Sequence, residues 1–158
     1  MAHGIFEKQG ILKPSAMKTV AERRFEDAAA LRKTEEHARA NGVAYLVGFV
    51  IEILLKAKLV EKFPAIARTP RHAVKDDQRK VWSLIWRRHD LDDMLAHLSE
   101  LQAFLIRKSE REGYNYYEDL KKVCITWTIQ ARYSSRTMLM VEATELLERV
   151  RKLKESLK

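Results

Sequence analysis

Between Val43 and Leu55 every residue but Gly48 and Glu52 is apolar. A helix made from such a stretch is hydrophobic on all sides, so it must be covered on all sides. It falls short of the roughly 18 apolar residues expected of a membrane span. The cover therefore has to come from other helices of the chain, which makes this the central helix of a bundle. Glu52 then lies in or beside the core, where an unpartnered carboxylate costs several kcal/mol, at order of magnitude. Lys56 follows one turn later in the favourable Glu-before-Lys order.

Start and stop signals divide the chain into five helices. Thr19 and Glu22 have capping-box spacing, and the first helix runs from there to about Arg39, with Phe25, Ala28, Ala29 and Leu31 at helical spacing. The apolar helix runs from about Val43 to Phe63 and stops before Pro64. Residues 64–77 read as a loop, followed by a turn or short helix around Gln78–Trp86. Asp90 caps a third helix that carries Met94, Leu95, Leu98, Leu101 and Leu105 and ends near Gly113. Asn115 and Glu118 open a fourth, with Leu120, Val123, Cys124, Trp127 and Ala131 on one face as far as Arg132. After Tyr133, Leu139, Ala143, Leu146, Val150, Leu153 and Leu157 form the stripe of a fifth. The predicted fold is all-α, an up-and-down bundle of four to five helices in a single domain over 1–158. Its one irregular part is a basic connection at about 64–88, whose order the sequence leaves open.

Charge is unevenly spread along the chain. Of the net +8, +6 falls in residues 62–89, which hold eight Lys/Arg against two Asp/Glu. A cluster of this kind points to an anionic partner. The single cysteine, Cys124, cannot form an internal disulfide and has no metal-ligand companion, which fits a reducing compartment. The first residues lack the apolar stretch of a signal peptide. The expected location is the cytoplasm, with no membrane association. The five histidines show no metal-ligand spacing, and neither a metal nor a cofactor is expected.

Four landmarks together resemble the HEPN family of small prokaryotic all-α domains. They are Arg24 to Ala28 in the first helix, Ala44-Tyr45-Leu46 leading to Glu52-Ile53-Leu54-Leu55-Lys56-Ala57, His89-Asp90-Leu91 opening the third, and Trp127 followed by Arg132-Tyr133. The resemblance covers about residues 23–150 and implies an HEPN-like bundle that forms a homodimer, with a polar cluster between its helices. It also implies a partner, an antitoxin or a minimal nucleotidyltransferase, in a toxin–antitoxin or related two-component system. Many members of the family are metal-independent ribonucleases whose arginine is followed four to six residues later by histidine. Arg132 stands at the arginine position, but Thr137, Met138 and Leu139 occupy the possible histidine positions. A literal match, Arg32 to His37, lies in the first helix, and random placement gives about one such match in a chain of this composition. Both residues read as solvated.

Two candidate sites follow. The first is Glu52, Lys56, His89, Asp90 and Arg132, drawn from three elements. As a ligand site, Lys56 and Arg132 would receive a phosphate that His89 reads; as a structural network, the same groups would only fix helix register. His89 and Arg132 are the catalytic candidates should the chain cut RNA, with histidine moving the proton and arginine holding the phosphate. The second is Arg68, Arg71, His72, Lys75, Arg79, Lys80, Arg87 and Arg88, interleaved with Trp82 and Trp86, a pattern suited to nucleic acid. The two tryptophans themselves read as core. The expected function is binding of RNA or a nucleotide. The rivals are a ribonuclease that uses His89 and a helical adaptor whose polar cluster is purely structural.

Overall fold

The described residues form a bundle of helices packed around one of their number, the apolar helix. The computed structural model describes residues 13–133 and 138–158, with side chains described outside 128–133. Helix α1 spans Pro14–Arg32, α2 Ala40–Lys62, α3 Pro64–Arg68 and α4 Arg79–Trp86. Helix α5 spans Leu91–Ala96, α6 Ser99–Glu112, α7 Tyr116–Tyr133 and α8 Met140–Leu157. No strand occurs among the described residues, and no helix among them is long and apolar enough to cross a membrane.

Helix α2 is the axis of the bundle. Ala40, Val43, Ala44, Val47, Ile51, Leu55, Ala57 and Leu59 have no exposed surface at all, so its contacts go all round, to α1, α7, α8, α5, α3 and α4. Helix α1 lies antiparallel to it, with Lys18 on Glu61 at one end (2.6 Å) and Leu31 against Gly42 at the other. Helix α8 runs parallel to it: Met138 N–H donates to Asn41 Oδ1 at one end (2.7 Å), and Lys58 Nζ donates to the Lys158 carbonyl at the other (3.2 Å). The expected stripe on α8 is buried from Ala143 to Leu157, while Leu139, just outside the helix, is exposed.

The tightest contact is between α2 and α7. Trp127 is fully buried, and its indole sits against Gly48, so a Cβ built there would fall 1.5 Å from the ring's Cδ1. Its Nε1–H donates to the Tyr45 carbonyl at 3.1 Å. Gly48 thus sits within the apolar helix because only a residue without a side chain admits the indole, even though glycine weakens a helix intrinsically.

Three boundaries differ from the sequence expectation. Helix α1 starts at Pro14, with proline in the first turn where its missing N–H costs nothing. Thr19 is therefore interior and makes no capping box; its hydroxyl donates back to the Ser15 carbonyl (3.1 Å). The same helix ends at Arg32 rather than about Arg39, because Thr34 Oγ1 donates to the Leu31 carbonyl (2.8 Å) and Glu35 turns the chain at φ 56°. The third predicted helix is two helices, α5 and α6. Its break lies at His97 and Leu98, where side chains take the carbonyls that helical N–H groups would use: His97 Nδ1–H donates to Asp93 O (2.7 Å) and Gln102 Nε2 to Leu95 O (2.6 Å).

Residues 64–78, of which the sequence reads 64–77 as a loop, contain helical structure. They hold α3 and two 3₁₀ turns, Arg71–Ala73 and Asp76–Gln78. Two indole donors clamp the segment: Trp82 Nε1–H to Thr69 O (3.0 Å) and Trp86 Nε1–H to Ala67 O (3.2 Å). Ala67 and Val74 are buried beneath it.

Replacing Gly48 with alanine forces Trp127 out of its seat. The expected loss is about 3 kcal/mol or more, at the upper end of overpacking penalties. Chemical denaturation of Gly48→Ala against the unmodified chain measures it, and an unchanged midpoint would refute the packing argument.

Candidate functional site

Glu52 follows Gly48 by one turn, on a stretch of α2 that is buried throughout. Only 1% of its side chain is exposed, yet two cationic or proton-bearing groups reach it. Lys56 Nζ lies 2.9 Å from Oε1 and His89 Nδ1 lies 2.5 Å from the same oxygen. Lys56 arrives by helical geometry, four residues on; His89 arrives from the short connection between α4 and α5. Oε2 is equally buried and has no hydrogen-bond partner among the described residues.

Burial pushes the Glu52 carboxyl up, but the His89 hydrogen bond and the Lys56 charge outweigh it and hold the group below the usual carboxylate range. Glu52 is therefore ionised at neutral pH. An ionised carboxylate only accepts, so the His89 nitrogen facing it must carry a proton. The imidazole side chain is 42% exposed. A buried anion thus meets solvent through one ring.

Asp90 plays a different part from its neighbours. It caps α5, accepting from Asp93 N–H at 3.0 Å, and lies 3.5 Å from the Arg88 guanidinium. Its hydrogen bond and ion pair go to α5 and Arg88, and among the described residues none joins it to Glu52. Arg132 stands in the last turn of α7, and its side chain lies outside the described residues. The fold thus brings together Glu52, Lys56 and His89 from the first candidate cluster.

The basic candidates divide into two groups. Lys80 and Arg88 are held by the acidic first turn of α5, with Lys80 Nζ 3.1 Å and Arg88 Nη1 3.3 Å from Asp93 carboxylate oxygens. Arg71, His72, Arg79 and Arg87 line a groove of about 700 Å³, floored by Val74, Trp82 and Ser83. Arg87 lies over the Trp82 ring at 5.6 Å, and Arg79 pairs with the exposed Asp76 at 2.9 Å. Arg68 and Lys75 are exposed outside the groove walls. Trp82 is 8% exposed and Trp86 is half-buried against the core, and both indole N–H groups are spent on backbone carbonyls.

Sequence reasoning missed two features. Gly48 carried a usable signal, as the lone glycine in an otherwise bulky apolar helix. The second is at the α1–α8 end, where Lys154, 7% exposed, sits on Glu22 Oε1 at 2.7 Å while Lys158 holds Oε2 at 2.7 Å. Nothing in local spacing announces a pair separated by most of the chain. Arg32, expected to be solvated, is half-buried and its Nε donates to Thr144 Oγ1 (3.3 Å), whereas His37 is exposed. No protein-family model, curated protein or solved structure matches this chain.

A carboxyl held below its usual range stabilises the fold above that range and ceases to do so as pH falls through the lowered value. Glu52 therefore contributes fully at pH 7 and progressively less below about pH 4.5, the ordinary carboxylate value. Glu52→Gln should flatten this acid limb of stability relative to the unmodified chain. Urea denaturation between pH 7 and pH 3 reads the difference, and parallel profiles would show that Glu52 gains nothing from its partners.

Proposed function

We propose that the chain binds RNA or a nucleotide through its basic groove, as an HEPN-like component of a toxin–antitoxin or related two-component system. The observation that carries this reading is the groove itself. Arg71, Arg79 and Arg87 face one open space of a size that admits a nucleotide, and His72 adds a ring that is cationic once protonated. Three guanidiniums lining one groove suit phosphate oxygens, which they engage through paired donors. The segment that bears Arg71 and His72 is pinned by Trp82 and Trp86, and Arg79 and Arg87 stand at the two ends of α4, so the cations are held in place before a ligand arrives.

The HEPN part of the proposal rests on the four sequence landmarks, and the junction of Glu52, Lys56 and His89 is what supports it physically. Residues 37 apart in sequence are drawn to one carboxylate oxygen, as a polar cluster between helices requires. Cytoplasmic location, a homodimer and an antitoxin or minimal nucleotidyltransferase partner belong to the same proposal.

Anisotropy of a labelled single-stranded oligoribonucleotide, titrated at several salt concentrations, tests it. Binding should weaken steeply with salt, and Arg71→Ala, Arg79→Ala and Arg87→Ala combined should lower the log–log salt slope by about 2, three phosphate contacts at about 0.7 each. The thermal midpoint should barely move, since these side chains are exposed. No binding even at low salt would overturn the reading.

A further inference from the structure

The Glu52–His89 contact is asymmetric. Glu52 Oε1 takes the Nδ1 edge of the ring at 2.5 Å, which leaves Nε2 without a hydrogen-bond partner among the described residues. The carboxylate is 1% exposed and fixed on α2, whereas the ring it holds is 42% exposed. A buried anion of this kind sets the tautomer and aim of an imidazole at its surface. His89 also follows the groove residue Arg87 by two positions, so its Cα stands within about 7 Å of that of Arg87.

We infer that Glu52 is a positioning residue that holds His89 in its Nδ1–H form and presents Nε2 to a phosphate of the ligand bound in the adjoining basic groove. This rests on the RNA or nucleotide reading and names a further contact for it. When the ring is neutral, Nε2 is a lone pair and repels phosphate oxygen. When the ring takes up a proton, Nε2–H donates to that oxygen with a positive charge behind it. Ligand binding is then linked to uptake of one proton.

The charged surroundings of the ring come from three elements. Helix α2 supplies Glu52 and Lys56, which share Oε1. The connection and first turn of α5 supply Arg88, Asp90, Asp92 and Asp93, and among them Arg88 is paired to Asp90 and Asp93. Helix α7 supplies the Cys124 thiol, which burial and the charges of Asp92 and Asp90 push up to about 12, so it stays neutral.

The test uses the full chain carrying His72→Gln, so that the imidazole of the groove takes no part, and a labelled single-stranded oligouridylate at fixed low ionic strength. As the pH is lowered from about 8 to about 5.5, affinity should rise by up to tenfold per pH unit, the limit for one linked proton. Adding His89→Gln, whose amide still donates to Glu52 and preserves the fold, should remove that slope. Proton–nitrogen correlation spectra of the imidazoles should show His89 as the Nδ1–H tautomer, and Glu52→Met should abolish that preference. An undiminished slope in the His89→Gln chain, binding that is indifferent to pH, or an Nε2–H tautomer would overturn the inference while leaving groove binding intact. Absence of binding at every pH would overturn the inference together with the RNA or nucleotide reading.

Discussion

The seating of Trp127 on Gly48 sets the distance between α2 and α7. Because the ring occupies the volume that a side chain would need, the two helices meet with an indole as their spacer. The Trp127 N–H, bonded to the Tyr45 carbonyl, keeps that ring from sliding along α2. One turn further along α2 stands Glu52, and the three residues Ile53, Leu54 and Leu55 that follow are buried in turn. The depth of Glu52 is thus a consequence of how closely its helix is enclosed.

Enclosure makes the carboxylate expensive, and the fold offsets that cost with two donors on one oxygen. Lys56 alone, a neighbour on the same helix, would supply charge from a fixed direction. His89 adds a donor from another element, so the connection before α5 is tied to α2 through a charge-assisted hydrogen bond. Asp90, immediately after, spends its side chain on the N-terminus of α5. Two adjacent residues thereby fix two different things: His89 the depth at which the connection lies, and Asp90 the point at which the next helix begins.

What was legible in the sequence is what short-range chemistry determines. The apolar run of α2, the Asp90 cap and the stripe of α8 are periodic or capping signals, and each has its counterpart in the structure. The Glu52–Lys56 pair followed from helical spacing, and His89 entered the same cluster through the family landmarks. The failures share a cause. The Thr19 and Glu22 spacing resembles a cap, but Glu22 serves Lys154 and Lys158 on α8, a demand that arises only after the chain has folded. The break at His97 escaped notice because Leu98 continues the apolar stripe, while the decision is made by polar side chains capturing backbone carbonyls. Residues 64–78 read as loop from their prolines and few apolar groups, and the indole donors that bond to their carbonyls lie beyond the segment.

That last point alters how the charge of the chain is to be understood. A basic excess on a mobile loop would attract anions without selecting among them, since long side chains on a flexible backbone adapt to any partner and lose entropy in doing so. Here the excess is divided. Lys80 and Arg88 are held against Asp93, while Arg71, Arg87 and Arg79, the last paired with the exposed Asp76, stand around a single groove. The groove floor, Trp82, is the same residue whose N–H clamps the segment that bears Arg71 and His72. A change that loosened Trp82 would therefore release the two walls from each other without removing any charge. Shape and charge at this surface depend on one ring, and net charge alone is a poor guide to what it recognises.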